Sequence, residues 1–497
     1  MPADPPRDLD RFPVNAAGKV DRHALPAADI DRPNADRHSE LPSGEVETQI
    51  ADVWRRLLGL SAVAATGNFF LLGGHSLIAT TMINQINDAF CVNLSIRYAF
   101  EHPVLRDIAA VVADAADRGL AAAPLLPALR DEHMPLSFGQ ERLWLMDQLA
   151  GSVAYNVPHA VRFRGGLRVA ALGWALGEVV ARQEACEPFE LAAGPVLRGE
   201  LVRVAADDHV LLLTVHHIAS DGWSSGVLVR EVLELYPRFG AGGGGAVLAP
   251  LPVQYADFAV WQRGWLRGEV LADLVGYWRE RLAGASVLRL PTDRPRPAVL
   301  SRLTGQTDVT IGTATSGRRR AGLESLVGFF VNTMVLRTDL SGDPTFRELL
   351  GRVRETLLGS YAHQDLPFEK LVQELRPAQV GRAGFSPWPF FEIVFQLDDT
   401  APGLPMLDDV TAEPLFIDKG VVKLPLIVTM STVGDGSLDC GVEYMPDLIG
   451  DDDVSRLLEI FLGYLQAFTE DIGRPLRSLL PELATSGGQV GPRMVGR

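Results

Sequence analysis

Two short stretches of the 497-residue chain concentrate the side chains that could do chemistry. The first is Val215-His216-His217-Ile218-Ala219-Ser220-Asp221-Gly222-Trp223-Ser224. An imidazole titrates near neutral pH, so it suits proton transfer from an attacking group or stabilisation of a developing oxyanion. His216, His217 and Asp221 are also metal-ligating types, but three such groups at one strand end rarely converge on a single ion. The second stretch is Phe69-Phe70-Leu71-Leu72-Gly73-Gly74-His75-Ser76-Leu77. A hydroxyl at a helix start, behind two permissive glycines, sits where free N–H groups favour a phosphate. A lone serine there is most often a helix cap, and an isolated histidine pair is most often a satisfied core pair. The surroundings decide both cases.

The elements that position these groups follow from periodicity. Alternating apolar residues from Val210 to Val215 predict a half-buried strand that ends in the two histidines. Asp221-Gly222 predicts a sharp turn, with Gly222 permitting a bend that a side chain would obstruct. A helix-period segment from about Val227 to Tyr236 follows. A strand that ends this way opens a pocket at a sheet edge, and alternation lets only one of the two histidines face it. Around Ser76, Ile50, Val53, Trp54, Leu57 and Leu58 form one helical face, and Ile78, Met82, Ile86 and Phe90 another. Pro103 opens a further helix through Leu105, Ile108 and Val112. Beyond a linker, Tyr155 to Arg164 reads as a strand and Val169 to Val180 as a helix.

Bulk composition narrows the class. Two to four domains fit this length. With 46 Lys+Arg against 62 Asp+Glu and a formal charge of −16, nucleic acid and anionic membrane are disfavoured as main partners. No uncharged apolar run reaches spanning length, and the N-terminus carries no apolar signal core. Cys91, Cys186 and Cys440 lie far apart without ligand spacing, which suits a reducing cytoplasm rather than disulfides or zinc.

The wider text carries a resemblance. The Phe69–Leu77 string, with amphipathic helices on both sides, resembles a peptidyl carrier domain. The His-His-x-x-x-Asp-Gly motif resembles the active-site motif of condensation domains of nonribosomal peptide synthetases. Pro135-Leu136-Ser137-Phe138-Gly139-Gln140-Glu141-Arg142-Leu143-Trp144, Arg182-Gln183-Glu184-Ala185, Gly317-Arg318, Leu326-Val327-Gly328-Phe329-Phe330-Val331-Asn332-Thr333 and His363-Gln364-Asp365-Leu366-Pro367 match that family in order. Phe12 to Pro26 resembles the last motif of an adenylation domain, with Lys19 as its lysine.

The resemblance implies a multidomain α and α/β chain. Residues 1–26 are an adenylation remnant, 27–42 a linker, 43–118 a four-helix carrier bundle and 119–132 a second linker. Residues 133–297 and 298–482 form two α/β sandwich subdomains, each like chloramphenicol acetyltransferase, and 483–497 are a tail. It further implies phosphopantetheine on Ser76, attached by a phosphopantetheinyl transferase. An aminoacyl or peptidyl thioester is then condensed with an acceptor amine, with His217 facing the tunnel. Asp221 is structural, paired with an arginine for which Arg182 is a candidate. The required partners are an upstream adenylation domain and a downstream module that supplies the acceptor carrier and its adenylation domain. The setting is secondary-metabolite assembly, including antibiotics.

Two departures qualify this. Only three residues separate Ala185 from Phe189, and three separate Ser301 from Gly305, where the family carries core-forming strands and helices. Their loss predicts a weakened condensation region. The competing reading is a carrier or scaffold protein with a degenerate, non-catalytic condensation-like domain.

Overall fold

The computed structural model describes residues 40–92, 94–117, 124–130, 134–150, 155–186, 195–239, 248–285, 306–320, 322–376, 388–398, 410–415, 417, 422–432 and 437–479. Both gaps, Lys19 and the adenylation-like segment lie outside the described residues. The chain divides near residue 120 into two compact units. Among the described residues, no helix is long and apolar enough to cross a membrane.

The first unit is helical, with α1 (Gly44–Leu58), α2 (Ser76–Phe90), the short α3 (Arg97–Glu101) and α4 (Leu105–Asp117). Their apolar faces meet in one core of Ile50, Trp54, Phe69, Met82, Ile86, Leu105, Ile108 and Val112, all buried. Trp54 meets Phe69 edge-on, with ring centroids 5.0 Å apart. Burial of each large side chain contributes about 1.5–3 kcal/mol, so the helical spacing read from sequence supplies this unit's stability.

The second unit holds two sheets. After α5 (Phe138–Ala150), strand β1 (Asn156–Gly165) is followed by α6 (Val169–Arg182), β2 (Leu197–Ala205), β3 (Asp208–His216) and α7 (Gly222–Leu235). On β3 the residues His209, Leu211, Leu213 and Val215 are buried. The three aliphatic ones share a core with Leu172, Ala175 and Val179 of α6 and Val227, Leu228 and Val232 of α7. Helices α8 (Tyr255–Trp265) and α9 (Gly268–Arg281) lead into β4 (Asp308–Thr315), β5 (Asn332–Asp339), α10 (Phe346–Ala362) and α11 (Phe368–Leu375). Strands β6 (Ile393–Asp398), β7 (Val410–Leu415), β8 (Leu426–Thr432) and β9 (Leu438–Tyr444) precede α12 (Asp451–Glu470).

The first sheet has the order β2-β3-β1-β7 and is antiparallel throughout. The second has the order β5-β4-β6-β8-β9, parallel at β4/β6 and β6/β8. Strand β7 comes from the later half of the chain yet pairs with β1, Ala160 opposite Leu415. The two sheets are therefore not confined to two consecutive stretches that part at residue 297. Pro414 sits in β7 at the sheet edge, where a missing N–H donor is tolerated.

Candidate active site and carrier site

The chemistry-bearing groups gather at the end of β3. His216 closes the strand, and His217 lies just beyond it in a single 3-10 turn, His217–Ala219. The two histidines are thus not successive strand residues, as the alternation argument supposed. A turn, rather than the pleat, gives them different surroundings.

His216 is buried and its Nδ1 accepts the Ile218 N–H at 3.2 Å. Its Nε2 is buried without a hydrogen-bond partner among the described residues. Burial holds the His216 ring below the usual imidazole value, with Asp147 opposing and Lys423 adding to that effect. The His217 ring is partly exposed, and its Nδ1 lies 2.6 Å from the Ser220 carbonyl oxygen. A carbonyl only accepts, so Nδ1 carries the proton and the neutral ring keeps its lone pair on Nε2. Phe329 meets the ring edge-on, 5.0 Å between centroids.

Asp221 caps α7, its Oδ1 accepting from Ser224 N at 2.8 Å. Its Oδ2 accepts from Arg318 Nη1 at 2.7 Å, Phe330 N at 3.0 Å and Val331 N at 3.2 Å. Both side chains of the Asp221–Arg318 pair are essentially fully buried, 3% and 2% exposed. The arginine that pairs with Asp221 is therefore Arg318, not Arg182. Arg182 is instead engaged with Glu231 at 3.2 Å. A buried carboxylate at a seam needs a counter-ion from the facing segment, and Arg182, on a helix of the same lobe, is already held by Glu231.

Gly222 also differs from expectation. It is the first residue of α7, and a Cβ there would meet nothing within 4 Å, so no steric need for glycine exists. The positions that do require glycine lie opposite. Gly317 has φ +66° and a Cβ there would strike the Phe330 carbonyl at 2.0 Å, while one at Gly328 would enter the Tyr255 ring.

Residues 316–320 and 322–331, between β4 and β5, thus form a latch against α7, α8 and the turns that follow β3 and α6. Val327 N donates to Gln183 Oε1 at 2.9 Å, and Gly328 N to Ser224 Oγ at 3.1 Å. Tyr255 OH donates to the Phe329 carbonyl at 2.6 Å. Burial pushes the Tyr255 hydroxyl well above its ordinary value, so it stays a donor. Trp223 Nε1 donates to Glu324 O at 2.9 Å. The latch orients Phe329, and hence the wall of the His217 site. Sequence reading matched Gly317-Arg318 and Leu326–Thr333 to the family but missed their role. The signal available was a glycine-arginine pair in a matched motif, set against an aspartate with no counter-charge close to it in sequence. Among the described residues no group of His, Cys, Asp or Glu is arranged to hold a metal ion.

In the helical unit, Ser76 is the first residue of α2, after an extended His75 at φ −135°. Gly73 has φ +99°, and a Cβ on Gly74 would lie 2.4 Å from the Phe69 ring. Both glycines are therefore needed to present the serine at the helix start. A helix N-terminus favours a nearby phosphate, so a phosphodiester link at position 76 fits this place in the fold.

Comparison with known proteins bears on both sites. The phosphopantetheine attachment site pattern matches residues 48–112, and the condensation domain pattern matches residues 180–299 and 297–485. The chain is 36% identical to one of the linear gramicidin synthase proteins of Brevibacillus parabrevis, covering 95% of this chain and 11% of that protein. It is 34% identical to a dimodular nonribosomal peptide synthase of Bacillus subtilis (strain 168), covering 93% and 23%. The chain thus spans a small part of these relatives. The gramicidin synthase alignment runs over 568 positions, more than the 497 residues present, so the relative carries residues this chain lacks. Among solved structures, the X-domain from teicoplanin biosynthesis matches at TM-score 0.63 and 26% identity, covering 71% of this chain and 98% of that one. The starter condensation domain of rhizomide synthetase matches at TM-score 0.58 and 18% identity, covering 69% and 98%, which supports the fold alone. Since the family pattern accounts for well over half of its residues, this chain belongs to the condensation-domain family, with a phosphopantetheine-attachment domain ahead of it.

Proposed function

We propose that the chain is a piece of a nonribosomal peptide synthetase in which Ser76 bears phosphopantetheine and the second unit joins acyl and amino partners through an amide bond. The arm, when present, supplies a thiol that holds an aminoacyl or peptidyl group as a thioester. Ser76 would carry its phosphate end covalently at the start of α2, with Gly73 and Gly74 shaping the turn that leads to it. The observation that carries the reading is the His217 ring, fixed by the Ser220 carbonyl so that its lone pair is on Nε2. Placed there, Nε2 accepts the proton that an amine loses as it is acylated. Asp221 and Arg318 act on this chemistry only by fixing the latch.

The acceptor carrier and its adenylation domain come from a downstream module, the amino acid from an upstream adenylation domain, and the arm from a phosphopantetheinyl transferase. The setting of such a synthetase is the cytoplasm. The test is to load the protein with that transferase and coenzyme A, charge it with an aminoacyl group, and supply a loaded acceptor carrier. Dipeptide from wild type, and no mass gain in Ser76→Ala, is the expected result. A full mass gain in Ser76→Ala would overturn the carrier assignment.

The two short intervals favour low activity as a second reading. In α12 the apolar residues Leu462 and Leu465 are 43% and 38% exposed, and Val454 is the one buried residue of that helix. On the edge strand β2, Val202 and Val204 are 43% and 57% exposed. Such uncovered faces fit the loss of covering elements. A turnover far below that of a complete condensation domain supports this reading, and equal turnover would sink it.

A further inference from the structure

The start of α5 carries the motif Ser137-Phe138-Gly139-Gln140 and is fastened to α8. Phe138 N donates to Gln262 Oε1 at 3.1 Å, and Ser137 Oγ meets Tyr255 OH at 2.8 Å. The Tyr255 proton is engaged with the Phe329 carbonyl, so Ser137 is the donor in that pair. Ser137 also caps the helix. Gln140 N donates to Ser137 Oγ at 3.2 Å, and Ser137 N donates to Gln140 Oε1 at 3.1 Å, a reciprocal capping box. That box uses only the oxygen of the Gln140 carboxamide. Its Nε2 donates to the Ile218 carbonyl oxygen at 3.2 Å. An N–H on one side and a carbonyl on the other fix which way the amide points. Gln140 is 3% exposed, and Ile218 is fully buried.

Ile218 is the middle residue of the 3-10 turn His217–Ala219. The turn closes weakly by itself, since the bond from Ser220 N to His217 O is 3.3 Å long and 3-10 geometry is poor. Side chains take both backbone groups of Ile218: His216 Nδ1 accepts its N–H, and Gln140 Nε2 donates to its carbonyl. A shift of this turn would carry the Ser220 carbonyl away from His217 Nδ1. Phe329, which meets the His217 ring, rests on the same turn of α5, where a Cβ on Gly139 would lie 2.7 Å from it.

From this geometry we propose that Gln140 is a positioning residue: its Nε2 pins the Ile218 carbonyl and holds the 3-10 turn where Ser220 keeps the His217 proton on Nδ1. The cap and the pin are separable by chemistry. Gln140→Glu keeps the shape and still accepts from Ser137 N, so the cap survives. Its carboxylate cannot donate to Ile218, whereas the protonated acid can. Capping alone would run the other way, because a carboxylate favours a helix N-terminus. The hydrogen bonds of Gln140 stand independently of the reaction. The kinetic consequence rests on the reading given under Proposed function.

The test uses the full chain and compares wild type with Gln140→Glu and with Gln140→Met, which has neither the donor nor the acceptor. With nitrogen-15-labelled histidine, the His217 ring signals are identified by their loss in His217→Ala. They should place the proton on Nδ1 in wild type and show a mixture of tautomers in Gln140→Met. A misplacement of about 1 Å can cost about a hundredfold, so single-turnover dipeptide formation should fall at least about tenfold in Gln140→Met. The rate of Gln140→Glu relative to wild type should fall as pH rises through the titration of its carboxyl. The titratable groups around the contact, His216 and His217 on the turn, Tyr255 on α8, and Glu141 and Arg142 on α5, are common to both proteins, so the ratio isolates position 140. A residue that only capped α5 would lower the melting temperature of Gln140→Met and leave the His217 tautomer and the rate unchanged. That result, or a relative rate of Gln140→Glu that climbs with pH, would overturn the proposal. If Gln140→Met does not fold, Gln140→Glu at alkaline pH takes its place in the spectrum. If wild type makes no dipeptide, the functional reading fails while the His217 tautomer still decides the role of Gln140.

Discussion

Consider removing the Asp221 carboxylate alone. It accepts hydrogen bonds from Arg318, Ser224, Phe330 and Val331, and its charge is matched by a guanidinium buried to the same degree. In Asp221→Ala, Arg318 keeps the Leu323 and Leu326 carbonyls and the Phe330 ring face, 4.2 Å away, but loses the carboxylate that balances its charge. Breaking a buried pair from one side costs about 3–5 kcal/mol, because an uncompensated charge remains in the protein. Domain stability is only about 5–15 kcal/mol, so the melting temperature should fall on the order of 5–10 °C. Trp223, bonded to the latch through Glu324 O, gives a fluorescence signal at the seam. Replacing both partners, Asp221→Leu with Arg318→Met, removes the stranded charge and should recover part of the loss, the Ser224, Phe330 and Val331 N–H groups still lacking their acceptor. If Asp221→Ala melts within about 1 °C of wild type, the seam is not held as described.

Other outcomes follow from neighbouring geometry. His216 has a depressed folded value, so the unfolded chain binds its proton first and stability should fall as pH drops below about 6.5. Unfolding curves from pH 8 to 5 check this, and His216→Asn should flatten the decline. Gly328→Ala forces a methyl into the Tyr255 ring and should cost about 1–3 kcal/mol, read by chemical denaturation. Gly222→Ala meets no atom and should change stability by less than about 0.5 kcal/mol in the same assay.

Local pattern made much of this legible. The 3.6-residue spacing of Ile50, Val53 and Trp54 and of Ile78, Met82 and Ile86 gave the helices, and alternation through Leu211, Leu213 and Val215 gave β3. The start of α2 at Ser76 was readable because Gly73-Gly74 precedes an apolar periodic run. What local pattern could not carry was pairing across long separations. Arg318 lies far along the chain from Asp221, and nothing near either residue fixes which charge meets which. Arg182, the candidate in sequence, is held by Glu231 instead. Likewise, the pairing of β7 with β1 in the first sheet joins segments far apart in the chain and is a tertiary choice. Gly222 was read as a steric requirement, whereas turn geometry placed that requirement at Gly317 and Gly328 across the seam.

The central claim is that the His217 imidazole, oriented by the Ser220 carbonyl, assists amide formation from an acyl group carried on Ser76. Single-turnover dipeptide formation by loaded wild type and loaded His217→Ala, at equal loading and with the same acceptor carrier, tests it most directly. The expected result is a rate at least roughly tenfold lower in His217→Ala, with an unchanged melting temperature. Equal rates in the two proteins would contradict the account and remove His217 from the chemistry.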